Sequence, residues 1–191
     1  MKYYNFMGDG EDENMEPLVF EINKESLWFN YYDLDDGKYM ETWDEEKIEV
    51  TFDKNKGYEE FDYAVNDLGW LVITEKFKKV LEPLNLGKHQ FLPLKAKSKT
   101  DNEIINLYVL NICNIVDAID YDNSKYIEAM IDGSLDRSLT VVALNGSKLE
   151  GYDMFKLKGE EFYIIVSEKV KKAVKKNKIT GCYFSELRVV K

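Results

Sequence analysis

A strand-turn-helix-turn-strand unit occurs twice in the chain, and this repeat constrains the fold more than any other feature of the sequence. The first copy begins Leu71-Val-Ile-Thr-Glu-Lys-Phe-Lys-Lys-Val80, and the second begins Ile164-Ile-Val-Ser-Glu-Lys-Val-Lys-Lys-Ala173. The two copies align without a gap, because Thr74 and Ser167 are 93 positions apart (167 − 74 = 93). An element repeated at about half the chain length predicts one domain built from two related halves.

Each copy carries the local signals of a buried strand that leads into a short helix. The apolar run before Thr74 or Ser167 is typical of a strand buried on both faces. The hydroxyl group can accept a hydrogen bond from the first turn of a helix, and the glutamate after it lies near the positive helix end. Apolar residues at helical spacing predict one buried stripe, and Pro83 and Gly181 predict the helix exits. None of these features is catalytic, so we interpret the unit as scaffold.

The remaining sequence adds many strand signals and little helix. Apolar runs at 90–95 and 103–113 flank a polar turn at 98–102, which predicts a hairpin. The segment 58–67 predicts a short helix, with Phe61 and Val65 on one face. In total we expect about nine strands and three short helices. The predicted fold class is α+β, with mixed, mostly antiparallel sheets and few short helices.

The charge of the chain is distributed unevenly along its length. Residues 1–66 hold 19 Asp and Glu and 6 Lys, or −13, whereas residues 67–191 hold 17 acids and 20 bases, or +3. The first third also carries 14 of the 26 aromatic residues. We therefore predict a single domain over 1–191 with an acidic, aromatic-rich part at 1–66 and a repeat-bearing scaffold at 67–191. Carboxylates repel phosphate, so the acidic part argues against contact with nucleic acid or anionic membranes and suits a basic protein partner.

Apolar runs in the sequence are too short for a signal peptide or a membrane span, so we expect a cytoplasmic protein. Cys113 and Cys182 lack C-x-x-C spacing and nearby histidines. That pattern predicts buried thiols rather than a metal or redox site.

Motifs for catalysis and metal binding give no specific signal. The segment that begins at Asp120 resembles a calcium loop, but Lys125 stands where the loop needs glycine and Ile131 where it needs glutamate. His89 is the single histidine, and we expect it to be structural. The sequence has no Gly-x-Ser-x-Gly elbow and no Gly-rich phosphate loop. We expect no enzymatic activity, no metal and no cofactor, while an enzyme with paired carboxylates stays open among 36 acidic residues.

A series of short stretches, taken in order, makes the chain similar to a known family. They are 66–77, 90–94, 107–112, 116–120, 124–126, 155–159, 165–169, 179–181 and Phe184. They include Asn66-Asp-Leu-Gly-Trp-Leu-Val-Ile-Thr-Glu-Lys-Phe77 and Ile165-Val-Ser-Glu-Lys169. On these stretches the chain resembles the bacterial polymorphic-toxin immunity proteins of the eleventh immunity family, over roughly residues 58 to 188. The acidic part matches only in its opening Lys-Tyr-Tyr and its general character.

The resemblance implies a cytoplasmic protein encoded beside a secreted or contact-delivered toxin, which it neutralises by binding. It implies no enzymatic activity and no cofactor. It supplies no established set of binding residues for this chain. The motifs that carry it are structural, so they say more about the family than about the mechanism.

We expect the toxin-binding residues to lie in the acidic first third, because rigid aromatic rings give contact area and carboxylates pair with basic partners. The candidates are Tyr31, Tyr32, Asp33, Asp35, Asp36, Trp43, Asp44, Glu45 and Glu46. A basic nuclease would suit this surface, since its carboxylates could imitate phosphates. The alternative interpretation is that the rings fill a core and the acids solvate its surface. Two other functions stay open: a small-molecule enzyme, and a scaffold or regulator that binds a host protein.

Overall fold

The computed structural model describes residues 1–8, 16–57, 59–131, 134–149 and 151–190. Three short α-helices are described: α1 (Tyr32–Asp35), α2 (Glu75–Leu81) and α3 (Glu168–Lys176). The strands of the described residues are β1 (Tyr3–Gly8), β2 (Phe20–Ile22), β3 (Val50–Phe52), β4 (Tyr63–Ala64), β5 (Val72–Thr74), β6 (His89–Ser98), β7 (Ile104–Ile112), β8 (Ile115–Val116), β9 (Lys125–Ile131), β10 (Ser134–Val141), β11 (Ala143–Asn145), β12 (Met154–Leu157), β13 (Glu160–Ser167) and β14 (Cys182–Val190). Single turns of 3-10 helix span Lys24–Ser26 and Gly146–Lys148.

The two repeated helices begin where the sequence predicts. The Thr74 hydroxyl oxygen accepts a hydrogen bond from the backbone N–H of Phe77, 3.3 Å away, and caps α2. The Ser167 hydroxyl oxygen accepts one from the backbone N–H of Lys169, 3.2 Å away, and caps α3. The apolar stripes of both helices are buried, and the helices pack against each other.

The strands form two six-stranded sheets and one separate hairpin. The first sheet has the order β2-β3-β6-β7-β5-β4, and the second has the order β11-β14-β1-β13-β12-β8. The separate hairpin pairs β9 with β10. Both large sheets mix antiparallel with parallel pairs, and antiparallel pairs are more frequent. The predicted α+β class is therefore confirmed.

The duplication extends beyond the stretch where the sequences match. In the first sheet β7 lies between β5 and β6 and is antiparallel to both, and β4 and β3 flank that trio. In the second sheet β1 lies in the same way between β13 and β14, and β12 and β11 flank it. The outer pairs also agree in direction, since β3 and β11 run parallel to their neighbours while β4 and β12 run antiparallel. Each half is thus a split β-α-β unit with two flanking strands.

The second half takes its middle strand from the beginning of the chain. In the first half the middle strand β7 follows β6 directly through the predicted hairpin, whose pairing runs from His89–Ile112 to Lys97–Ile104. In the second half β1 fills the equivalent place, and its pairs with β14 run from Tyr3–Leu187 to Gly8–Cys182.

Three apolar clusters fill the space around the sheets. Alternate residues of each strand point to opposite faces. The central cluster lies between the sheets and contains residues of both repeated helices, among them Phe77, Leu81, Val170 and Val174. A second cluster covers the other face of the first sheet, under the acidic segment 16–57. The third covers the other face of the second sheet, under residues from 116 to 144.

Asp62, just before β4, ties the first half to the loop after α3. Its carboxylate accepts hydrogen bonds from the Thr74 hydroxyl group at 2.9 Å and from the backbone N–H of Thr180 at 3.1 Å. The ammonium group of Lys76 lies 2.7 Å from the same carboxylate. Burial alone raises the pKa of Asp62, but the hydrogen bonds from Lys76 and Thr74 outweigh it and hold the pKa below its ordinary value.

Asp153, just before β12, makes the equivalent contact in the opposite direction. Its carboxylate accepts hydrogen bonds from the Ser167 hydroxyl group at 2.7 Å and from the backbone N–H of Asn85, in the loop after α2, at 3.1 Å. Lys169 lies 3.5 Å away, at the position that Lys76 has in the first half. Each half therefore uses a buried aspartate to hold its own helix cap and the loop after the other half's helix.

Two sequence predictions about secondary structure are wrong in detail. The segment 58–67, predicted as a helix, contains the short strand β4, and Tyr58 itself lies outside the described residues. The third helix is α1 instead. The described residues also contain fourteen strands rather than about nine, because several strands have only two or three residues. No helix in the described ranges combines the length and apolar character that a membrane crossing requires.

Candidate functional site

Helix α1 holds three of the nine predicted partner-binding residues, Tyr32, Asp33 and Asp35, and two more, Tyr31 and Asp36, cap its ends. The helix is held from two sides. On one side, its residue Leu34 is buried in the apolar cluster beneath the acidic segment. The indole N–H of Trp70 donates to the backbone carbonyl of Tyr31 at 3.2 Å. From the second sheet, the Lys156 ammonium group donates to the backbone carbonyls of Leu34 and Asp35, each at 2.7 Å. Residues of both halves therefore position this helix.

The outward side of α1 carries aromatic rings and carboxylates together. Tyr32 is 55% exposed, and its ring lies 4.1 Å from the ring of Tyr31, measured between centroids. Asp33 forms an ion pair with Lys38, whose ammonium group also lies 3.6 Å from Asp36. We call the outward side of residues 31–36 the α1 surface.

Three residues that the sequence did not single out border the α1 surface. Phe162 is 71% exposed, and with Glu161 it lines a cavity that α1 also borders. Ile115 is 40% exposed, and its side chain lies so close to Gly37 that a Cβ atom at that position would be 3.5 Å from Ile115 Cδ1. In the sequence, Phe162 stands in the apolar run of β13, so it reads as a core residue. An exposed phenylalanine beside an acidic helix is visible only in the folded structure.

The other predicted residues, Trp43 to Glu46, lie in a separate loop beside β6. The Trp43 indole N–H donates to the Pro93 carbonyl at 2.7 Å, and its half-buried ring packs in an aromatic group with Trp28, Phe29 and Trp70. These contacts place Trp43 largely within the fold.

Carboxylates of the same loop have lysine neighbours within the chain. Asp44 lies 3.1 Å from Lys47, and Glu46 forms an ion pair with Lys95. Glu45 is half-buried. Unlike the α1 surface, this loop exposes no large aromatic ring of its own among the predicted residues.

Hydrogen bonds to the first sheet hold the segment between the two groups. The Gln90 side chain accepts from the Met40 backbone N–H at 2.8 Å and donates to its carbonyl at 2.9 Å. The buried Asn111 donates to the Lys38 carbonyl at 2.7 Å. These contacts fix both predicted groups on the same face of the first sheet.

Two charged groups near α1 have shifted pKa values. Burial lowers the pKa of Lys156, and the nearby carboxylates of Asp35 and Asp36 offset this only in part. Burial also raises the pKa of Asp35, against the opposing effect of the Lys156 charge. Both shifts have the same origin, since moving a charge away from water disfavours it.

The residues tested for catalysis or metal binding have structural surroundings. His89 Nδ1 lies 2.8 Å from the Gly87 carbonyl oxygen, and the imidazole packs edge-on against Phe91. Cys113 and Cys182 are both half-buried, and burial raises the pKa of the Cys113 thiol. Within the described ranges, no group of three His, Cys, Asp or Glu side chains is arranged to hold a metal ion.

Comparison with known proteins assigns the chain to a family. A search of curated proteins finds no match. The model of the immunity protein family Imm11 matches residues 2–189 of the 191-residue chain. The match includes the acidic first third, where the sequence motifs alone gave little resemblance. The chain therefore belongs to the Imm11 immunity protein family.

Proposed function

We propose that the protein binds a cognate toxin and neutralises it by direct protein–protein contact through the α1 surface. Membership of an immunity protein family indicates toxin neutralisation in general. The contact mechanism and the location of the interface are our proposals. The resemblance to polymorphic-toxin immunity proteins further suggests that the toxin is encoded by the adjacent gene.

The observation that carries the proposal is an exposed group of rings and acids on a firmly held element. Tyr32 and Phe162 are 55% and 71% exposed, and each stands next to an acidic residue in the chain, Asp33 and Glu161. Single exposed apolar residues are common, so the combination with carboxylates is what distinguishes this group. Aromatic residues of this kind supply most of the binding energy in protein interfaces. Because hydrogen bonds from Trp70 and Lys156 hold α1 in place, little conformational entropy is lost when a partner binds.

The geometry favours binding over catalysis. An enzyme with paired carboxylates needs a pocket that encloses its substrate, and such pockets have volumes of about 300–1,000 Å³. The cavity that Asp35 and Glu161 line has a volume of about 80 Å³, and the pocket along Glu45, Glu46 and Glu49 has a volume of about 260 Å³. Both volumes lie below that range. The surface around the cavity beside Asp35 is open to a protein partner.

The charge of the acidic part supports a basic partner, and a nuclease toxin is one such partner. Residues 1–66 have a formal charge of −13 (6 − 19). Opposite charges accelerate the association of two proteins, and this acceleration falls strongly as ionic strength rises. We infer that carboxylates of the α1 surface occupy positions that phosphates take in a nuclease substrate.

Binding to the adjacent gene product tests the proposal. We expect a purified, catalytically inactive form of that product to bind the wild-type chain, and we expect the association rate to fall as salt rises. Tyr32→Ala should raise Kd about tenfold or more. The matched control is Tyr121→Ala, since Tyr121 is 57% exposed and follows Asp120, which bonds to β11 at the edge of the second sheet away from β12 and α1. Absence of binding by the wild-type chain would refute the proposal, and salt-insensitive binding would remove its electrostatic part.

A further inference from the structure

A small cavity opens between α1 and β13, beside the α1 surface. Its walls combine apolar side chains such as Trp70 and Ile164 with three ionisable ones, Asp35, Lys156 and Glu161. The cavity brings together the acidic segment and the second sheet, which are more than 100 residues apart in the sequence. Its volume of about 80 Å³ is that of a side chain rather than a substrate.

Asp35 differs from the other carboxylates of the α1 surface, Asp33 and Asp36, which both lie beside Lys38 within the described part of the chain. Asp33, Asp44 and Glu46 each form an ion pair with a lysine of this chain. The structure gives the half-buried Asp35 carboxylate neither a hydrogen bond nor an ion pair within the described residues. A partly buried charge without a partner is unfavourable. A cation that entered the cavity would remove that cost.

Lys156 does not fill this role. Two of its N–H groups donate to the backbone carbonyls at the end of α1. Its charge lies within electrostatic range of three carboxylates, those of Asp35, Asp36 and Glu161. Of these, Asp35 and Glu161 line the cavity together with Lys156, whereas Asp36 pairs with Lys38, so the lining carries a formal charge of −1 (1 − 2 = −1). The Glu161 carboxylate accepts only from the Gly159 backbone N–H, at 2.8 Å, in the described structure.

Phe162 supplies the other half of a cation site. Its side chain lines the cavity while most of the residue is open to solvent. The face of an aromatic ring carries negative charge density and attracts the ammonium group of lysine or the guanidinium group of arginine. A carboxylate and a ring face together favour a basic side chain over an apolar one.

We propose that this cavity receives an arginine or lysine side chain of the toxin, which pairs with Asp35 and packs against Phe162. The inference rests on the proposed function, and it names the group that the α1 surface recognises. The inserted side chain is the electrostatic anchor of the interface. The exposed ring of Tyr32 contributes contact area beside it.

Two substitutions with matched controls test this anchor. Asp35→Asn removes the charge and keeps the shape, and we expect it to raise Kd for the inactive adjacent gene product about tenfold to a hundredfold. Phe162→Ala should raise Kd about twofold to thirtyfold. The controls are Glu186→Gln, which neutralises an exposed acid paired with Lys2, and Tyr183→Ala, which removes a ring that is 53% exposed. Neither control should change Kd.

The thermal stability of Asp35→Asn separates recognition from a structural role. Because burial disfavours the Asp35 charge, we expect its removal to leave Tm unchanged or to raise it while binding weakens. Double-mutant cycles between Asp35→Asn and substitutions of toxin Arg and Lys residues should identify one strongly coupled residue. Wild-type binding with unchanged Kd for Asp35→Asn would overturn the cavity inference and leave the proposed function standing. Failure of the wild-type chain to bind would overturn both.

Discussion

Removal of the Asp153 carboxylate should destabilise the protein by about 2–4 kcal/mol. In Asp153→Ala the fully buried Ser167 hydroxyl group loses its acceptor, which costs about 1–3 kcal/mol. The backbone N–H of Asn85 also loses its bond, at about 1 kcal/mol, since water can partly replace it. The ion pair with Lys169 adds little, because that side chain is 59% exposed.

Urea denaturation measures this loss directly. With a typical slope of about 2 kcal/mol per M urea, the expected destabilisation lowers the midpoint by about 1–2 M. The matched control is Asp117→Ala, since Asp117 is 60% exposed and lies 3.5 Å from Lys148. This control should stay within about 0.5 kcal/mol of the wild type.

The result for Asp153→Asn adds a test of the hydrogen-bond argument. The side-chain oxygen of the asparagine can still accept a hydrogen bond from one of the two donors, Ser167 or Asn85. Its NH₂ group then faces the other donor and cannot accept from it, so we expect an intermediate loss of stability. If the free energy of unfolding of Asp153→Ala lies within about 0.5 kcal/mol of the wild-type value, the contact between the halves does not stabilise the protein as we argue.

Three further predictions concern other parts of the fold. Burial raises the pKa of Asp62, but its hydrogen bonds lower that pKa by more, so the folded-state pKa lies below the unfolded-state value. The contribution of Asp62 to stability is therefore present above the unfolded-state pKa and is lost as pH falls through the folded-state pKa. In urea unfolding across acidic pH, the free energy of unfolding of Asp62→Asn should fall less with decreasing pH than that of the wild type. Gly181→Ala should be more destabilising than Gly69→Ala, because both residues have positive φ (+76° and +70°) but only at Gly181 would the added Cβ meet another atom, 2.5 Å from Phe61 Cβ; equal midpoints would show that φ alone determines the cost. Lys156→Met should leave the Asp35 carbonyl without its donor, remove one of the donors to the Leu34 carbonyl, and increase amide hydrogen exchange in α1 by about tenfold or more; unchanged exchange would show that other contacts hold the helix.

Local signals in the sequence were sufficient for the repeated helices. Thr74 and Ser167 cap them as predicted, because N-capping depends on residues within one turn. The segment 58–67 shows the limit of such reasoning. Phe61 and Val65 are four residues apart, which imitates a helical stripe, but pairing with β5 places the intervening residues in a strand. Tertiary contacts outweigh local periodicity in a segment this short.

Long-range pairing was not predictable from the sequence. Nothing in the residues Tyr3–Gly8 indicates that they fill the place in the second half that β7 fills in the first. Very short strands such as β4 and β8 lack enough residues to show alternation.

The sequence shows where acidic residues are concentrated, but it does not show which of them are paired with a lysine in the fold. Which carboxylates are paired depends on lysines far along the chain, as with Glu46 and Lys95, which are 49 positions apart. Asp35 therefore looked no different from Asp33 in the sequence. One signal was overlooked: Lys156 stands between apolar residues in Met154–Leu157, and a lysine in such a run must be buried with partners or disrupt the strand.

The position of β1 in the second sheet affects how the chain can fold as it leaves the ribosome. All strands of the first half have been synthesised by Ile112, so that half can close while translation continues. The first strand that pairs with β1 is β13, and its synthesis begins only at Glu160, 152 residues after Gly8 (160 − 8 = 152). At about 5–20 residues per second this interval is on the order of 10–30 s. During that time an apolar strand lacks its native neighbours and can pair with other strands, so nascent chains should engage chaperones through Tyr3–Gly8.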